Sequence, residues 1–138
     1  EALTKMEDES EVNRIYNTAQ QSEDFSQYEF PEKLYGDEDD CGKITDIISS
    51  NLSGAEILGD IEYCRKNNLL FSSVHTKLKG GLMTNLIYIN DYYSGDLIFE
   101  ETANDNLELY AADTFFIYKD YLFLIKRKIE VGVYKING

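Results

Sequence analysis

The sequence predicts an α+β fold: an N-terminal amphipathic helix packed on an antiparallel β-meander of six to eight strands that can curl into a partial barrel. Three observations point there. Apolar residues recur at helical spacing only in the first third of the chain, and from Leu69 onward short runs rich in Ile, Tyr, Phe, Val and Leu follow one another. The separators between these runs are too short for the crossovers that parallel strands require. At 138 residues with 43% hydrophobic side chains, the chain has the size of one domain and enough apolar surface to bury a core.

The first element is a helix within residues 1–20, where Val12, Ile15, Tyr16 and Ala19 share one face and acids and glutamines occupy the rest. Residues 21–42 lose this period, hold the only proline, Pro31, and end in Gly36-Asp37-Glu38-Asp39-Asp40-Cys41-Gly42, which is turn chemistry. This acidic connecting segment carries Phe25, Tyr28, Phe30 and Tyr35, rings that favour lying across a neighbouring surface over dangling in water. Ile44, Ile47, Ile48 and Leu52 predict a second short helix over 43–52, with Asp40 near its start and Gly54 beyond its end. Ile61-Glu62-Tyr63 alternates and leads through Asn67-Asn68 into the next apolar run, so a hairpin is expected there.

The remainder of 43–138 is read as mainly β, with runs at 69–76, 82–90, 96–101, 106–111, 114–119, 121–127 and 129–136. Gly80-Gly81, Ser94-Gly95, Asn104-Asp105-Asn106 and Lys119-Asp120 supply the turns. Leu107, Leu109 and Ala111 alternate with polar neighbours, which places one face in the core and one in water. By the same logic Phe115, Ile117, Leu122, Leu124, Ile129, Val131 and Val133 are expected to form much of the core, with Tyr121 and Phe123 on the opposite side.

Charge excludes some functions. Thirteen basic against twenty-six acidic residues leave a net −13, which repels a phosphate backbone, so no nucleic acid is expected as a partner. The acidity is concentrated: residues 1–40 hold 13 acids and 3 bases, net −10, and the rest hold 13 and 10, net −3. Such a pole steers a basic partner. No stretch approaches the ~18 apolar residues of a membrane span, while a lipid tether stays open. The chain begins at Glu1 without an apolar targeting segment, which tilts the expected location toward the periplasm or cell envelope over the cytoplasm. Cys41 and Cys64 suffice for one disulfide and leave the compartment undecided.

Catalytic signatures are absent. His75 is the only histidine, too few for the His ligands of common catalytic zinc sites, and it is read as an exposed strand-end residue. Lys79-Gly80-Gly81 is followed by a strand-like run, hence a hairpin turn and not a phosphate loop. No cofactor is expected. Asp37-Glu38-Asp39-Asp40-Cys41-Gly42 places acids and a glycine as a calcium loop does, but Cys41 and Ile48 stand where oxygen ligands belong, so Asp37, Asp39 and Asp40 form at most a weak calcium candidate. Glu100 and Glu101 are adjacent on a strand and face opposite ways, which argues against paired acid–base work.

What remains is recognition. Tyr88, Tyr92 and Tyr93 flank the Ser94-Gly95 turn and Tyr118 and Tyr121 flank Lys119-Asp120, so these rings are candidates for a partner surface, together with Asp37, Glu38, Asp39 and Asp40. The expected function is a non-enzymatic binding protein, a bacterial envelope module or an inhibitor or immunity-type protein, that meets a protein partner through its acidic N-terminal third. The alternative is a hydrolase using carboxylates in a sheet cavity.

Overall fold

The computed structural model describes residues 3–21, 25–36, 40–77, 81–127 and 130–137. Its elements are β1 (Leu3–Lys5), α1 (Glu9–Gln21), β2 (Tyr28–Glu29), β3 (Glu32–Lys33), α2 (Cys41–Ser50), β4 (Ile57–Lys66), β5 (Leu69–Lys77), β6 (Met83–Asp91), β7 (Leu97–Leu107), β8 (Phe115–Tyr118), β9 (Tyr121–Lys126) and β10 (Glu130–Ile136). The class is α+β as expected. The described strands form two open antiparallel sheets of five, ordered β1-β10-β9-β8-β2 and β3-β4-β5-β6-β7. The single meander expected from the sequence is instead divided between them, β4 to β7 in one sheet and β8 to β10 in the other.

Strand parity stacks these sheets between the two helices. Across β8, β9 and β10 the residues Ile117, Leu122 and Tyr134 lie opposite one another, as do Phe115, Leu124 and Gly132. Residues directly opposite share a face. These side chains pack against Cys64, Phe71, Ile87, Ile89 and Ala103 of the other sheet, forming the core between the sheets. One residue out of step, Phe123, Val133 and Tyr118 face away from that core and are covered by Ile15 and Ala19 of α1. On the far side Leu70, Val74 and Tyr88 are covered by Ile44, Ile47 and Ile48 of α2. The order of layers is therefore α1, sheet, sheet, α2.

Local chemistry starts each helix where it does. Asp8 caps α1, its side chain accepting the Glu11 amide at 3.1 Å and its carbonyl the Val12 amide at 2.9 Å. α2 begins with the Asp40 carbonyl accepting the Ile44 amide at 3.0 Å. Its last turn is tied to β6 by a reciprocal amide pair, Asn51 and Asn90, at 2.9 Å in both directions.

Four expectations need correction. Residues 3–5 are an edge strand pairing with β10, so the first helix begins only at Glu9. Residues 108–114 are irregular where a strand was expected over 106–111, and the turn expected at Asn104-Asp105-Asn106 lies inside β7, where Asn106, at a φ of 52°, sits in an irregularity of the pairing with β6 that resumes at Leu107; Leu109 is 81% exposed. The alternation there was genuine, but among the described residues no strand pairs with it. The sheet bearing β9 is not one-sided, because Phe123 is as completely buried as Leu122 and Leu124, under α1. Val133 accordingly packs with Phe123 on the helix side and Val131 is exposed, while Ile129 lies outside the described residues.

Covering both faces has a measurable consequence. Leu122→Ala should cost about 2–5 kcal/mol and Phe123→Ala about 3–5 kcal/mol in urea unfolding, since each empties a filled layer. A near-neutral Phe123→Ala would mean that α1 does not seal its side of the sheet.

Candidate functional site

The predicted site residues separate into three places. Tyr88 is buried under α2, its phenol bonded to Glu100 and pushed up to about 12, chiefly by burial. Tyr118 and Tyr121 belong to the layer between α1 and its sheet. These three are packing residues. Asp37, Glu38 and Asp39 lie outside the described residues, and with them most of the calcium candidate. Asp40, Tyr92 and Tyr93 converge near the start of α2, where Arg65 joins them. The Arg65 guanidinium lies 3.4 Å from the Tyr92 ring centroid and 3.9 Å from the Asp40 carboxylate, and the Lys43 ammonium is 4.0 Å from the same ring. Tyr93 is 67% exposed and is set by Asp91, whose carboxylate accepts the Tyr93 and Ser94 amides at 2.9 and 2.8 Å. Those backbone bonds, the Ser94 one foremost, hold the Asp91 carboxyl below its ordinary range.

Arg65 also borders a groove that residue spacing alone does not disclose. About 370 Å³ in volume, it is lined by Tyr28, Glu29, Phe30 and Glu32 of the acidic segment and by Tyr63, Cys64 and Arg65 of β4. It exists because the chain leaves one sheet at β2 and joins the other at β3. Glu29 stands opposite Ile117, a core-facing position at the sheet edge, so its Oε2 atom is buried and has no hydrogen-bond partner among the described residues. Phe30 stacks on Tyr28 at 5.4 Å yet remains 56% exposed. Cys64 is a core thiol pushed up to about 12 by burial first and by the Glu29 charge second, and neither it nor Cys41 is in a disulfide. Lys126 does not neutralise this region, because it pairs with Glu101, which also accepts from the Tyr134 hydroxyl.

A second concavity, about 280 Å³, opens at the mouth of the sandwich and is lined by Lys33, Gly59, Asp60, Glu62, His75, Tyr110, Ala111 and Ala112. Here the histidine corrects its expected exposure. His75 is only 4% exposed, because residues 108–114 fold over it, and its Nε2 accepts the Ala111 amide at 3.0 Å. Glu62 accepts the Asp113 amide at 3.3 Å, and Ser73 bonds Thr114 at 3.0 Å. Tyr110 meets His75 edge-on at 5.1 Å and lies so close to Gly59 that a Cβ there would sit 2.6 Å from its ring. Gly59, at φ 66° in the β4 irregularity, is the residue that this contact requires. Lys33 and Asp60 pair at 3.4 Å across the rim. A non-strand segment bonded to side chains two strands away leaves no periodic trace, which is why sequence reasoning missed this pocket.

Comparison of the chain with known protein families, with curated proteins and with solved structures finds no match. The reading of function therefore rests on geometry and chemistry.

Burial lowers the His75 pKa below the ordinary 6.5, and burial first of all raises that of Glu62 above the ordinary 4.5. The two act in opposite senses. Stability held by neutral His75 is complete above pH 6.5 and is lost as pH falls from there through its folded value. The Glu62 contribution is complete below pH 4.5 and is lost as pH rises through its folded value. His75→Gln keeps an acceptor for Ala111 without the titration, and Glu62 is common to both proteins. The wild type should thus lose more stability than the variant between pH 7 and pH 5; parallel profiles would contradict the burial of a neutral imidazole.

Proposed function

We propose that this chain is a non-enzymatic binding protein that recognises a basic protein partner through its acidic N-terminal third, with the groove between β2, β3 and β4 as the contact. The observation that supports this reading most is the Glu29 carboxylate, whose Oε2 is buried and unpartnered beside the exposed ring of Phe30. A buried oxygen left without a partner is costly, and an incoming Arg or Lys group relieves that cost while its aliphatic stem covers the ring. Tyr93 and Asp40 extend the surface beyond Arg65, with the buried ring of Tyr92 beneath them. An envelope module and an inhibitor or immunity-type protein both fit this mode of recognition, in which complementary charge governs encounter and salt dependence.

A hydrolase is the second reading, favoured by one observation: Asp60 and Glu62 line the same pocket. It ranks lower because Asp60 is paired with Lys33, Glu62 already accepts a backbone amide, and 280 Å³ falls just under the ~300–1,000 Å³ of common ligand pockets. Turnover of small ester or amide substrates, abolished by Glu62→Gln, would reverse that order.

Affinity capture from the source organism, run at low and at high salt, tests the first reading. A partner held at low salt should be released at high salt. Binding to Glu29→Gln should be about tenfold weaker or more, the loss expected from a charge-assisted hydrogen bond worth ~1.5–3 kcal/mol. Capture indifferent to both salt and Glu29→Gln would refute it.

A further inference from the structure

We propose that the pocket between β4, β5 and residues 108–114 captures the free amino terminus of a peptide chain, its α-ammonium pairing with Glu62 and its first carbonyl oxygen accepting the Nδ1 proton of His75. This site is separate from the groove and goes beyond the reading given above.

One unpartnered nitrogen and an excess negative charge define the ligand. Because His75 Nε2 accepts the Ala111 amide, the proton of the neutral imidazole resides on Nδ1, and that atom is buried without a partner among the described residues. It calls for an acceptor. The charged groups lining the pocket are Asp60, Glu62 and Lys33, so with a neutral imidazole the lining carries a net −1 and favours a cation. A ligand must therefore present a cation and a hydrogen-bond acceptor together.

Geometry restricts how far apart they are. Glu62 stands opposite Ser73, so His75 is its diagonal neighbour on the same face of the sheet, a separation of about 7–8 Å that long side chains span from either side. One compact group bridges that gap. An α-ammonium and the carbonyl one carbon away have this form, whereas a lysine or arginine side chain has the cation without the acceptor. The ring of Tyr110 and the methyls of Ala111 and Ala112 give the pocket an apolar wall for the first side chain. A volume of about 280 Å³ accepts roughly one residue.

The single histidine makes the test direct, since its ring signals in NMR report the pocket without assignment ambiguity. Alaninamide, which carries both groups, is titrated into the full chain at pH 7.0 alongside N-acetylalaninamide, which lacks the charge, and propylamine, which lacks the carbonyl. Alaninamide should shift the His75 signals saturably, with a dissociation constant on the order of 1–10 mM for so small a ligand. Both single-group probes should bind at least about tenfold more weakly, as should alaninamide to Glu62→Gln with the rest of the spectrum unchanged. Alanylalaninamide should bind at least as well as alaninamide, which separates a chain terminus from a free small amine. The proposal is overturned by no saturable shift up to about 50 mM, by equal binding of either single-group probe, or by exclusion of the dipeptide amide.

Discussion

The crossing from one sheet to the other over residues 108–114 is the constraint on which the rest of the structure depends. Among the described residues this segment has no strand partner, so its backbone groups must find bonds elsewhere or face water. Side chains of the neighbouring sheet supply two of them, His75 accepting the Ala111 amide and Glu62 the Asp113 amide, and the Ser73 hydroxyl adds a bond to the Thr114 hydroxyl. Ser73 also accepts from Asn85, which in turn accepts from Asn104, so the ties run across β5, β6 and β7. At the other end Thr114 accepts the Ile125 amide and hands the chain to β8 and β9. A polar network of this kind is stabilising only when its members are satisfied together.

With the crossing fixed, each sheet presents one face to the other and one to a helix. The inner faces close on Phe71, Phe115, Ile117 and Leu122, all fully or almost fully buried, and the outer faces are left apolar. Helices α1 and α2 are then obligatory covers, since Phe123 and Val133 on one side and Leu70 and Val74 on the other would meet water without them. The same arrangement generates both concavities. The groove at Glu29 lies where β2 and β3 carry the chain between the sheets, and the pocket at His75 lies where residues 108–114 carry it back. Both concavities thus lie at the two seams and not on a sheet face.

The α+β class and most strands were legible because periodicity is a local property: Ile44, Ile47 and Ile48 do form one helical face, and the Asn67-Asn68 turn does join β4 to β5, with Asn67 at a φ of 57°. Glu100 and Glu101 do point apart, to Tyr88 and Tyr134 respectively. Division into two sheets was not legible, because it depends on which strand lies beside which, and the same alternation serves either arrangement. The candidate site was legible only in part. Tyr92, Tyr93 and Asp40 do gather, drawn together by Lys43 and Arg65, which no spacing rule connects to them. Glu29 and His75 carried no signal beyond their identity, since what distinguishes each is a buried atom left without a partner.

Amide hydrogen exchange tests the central claim, that residues 108–114 are a pinned part of the fold and not a free loop. The Ala111 amide, bonded to a buried imidazole, should be protected at neutral pH far more than the amide of exposed Leu109 beside it, and to a degree approaching that of the β5 amides. Exchange of Ala111 as fast as that of Leu109 would contradict the account, because His75 would then hold nothing and the mouth of the sandwich would stand open.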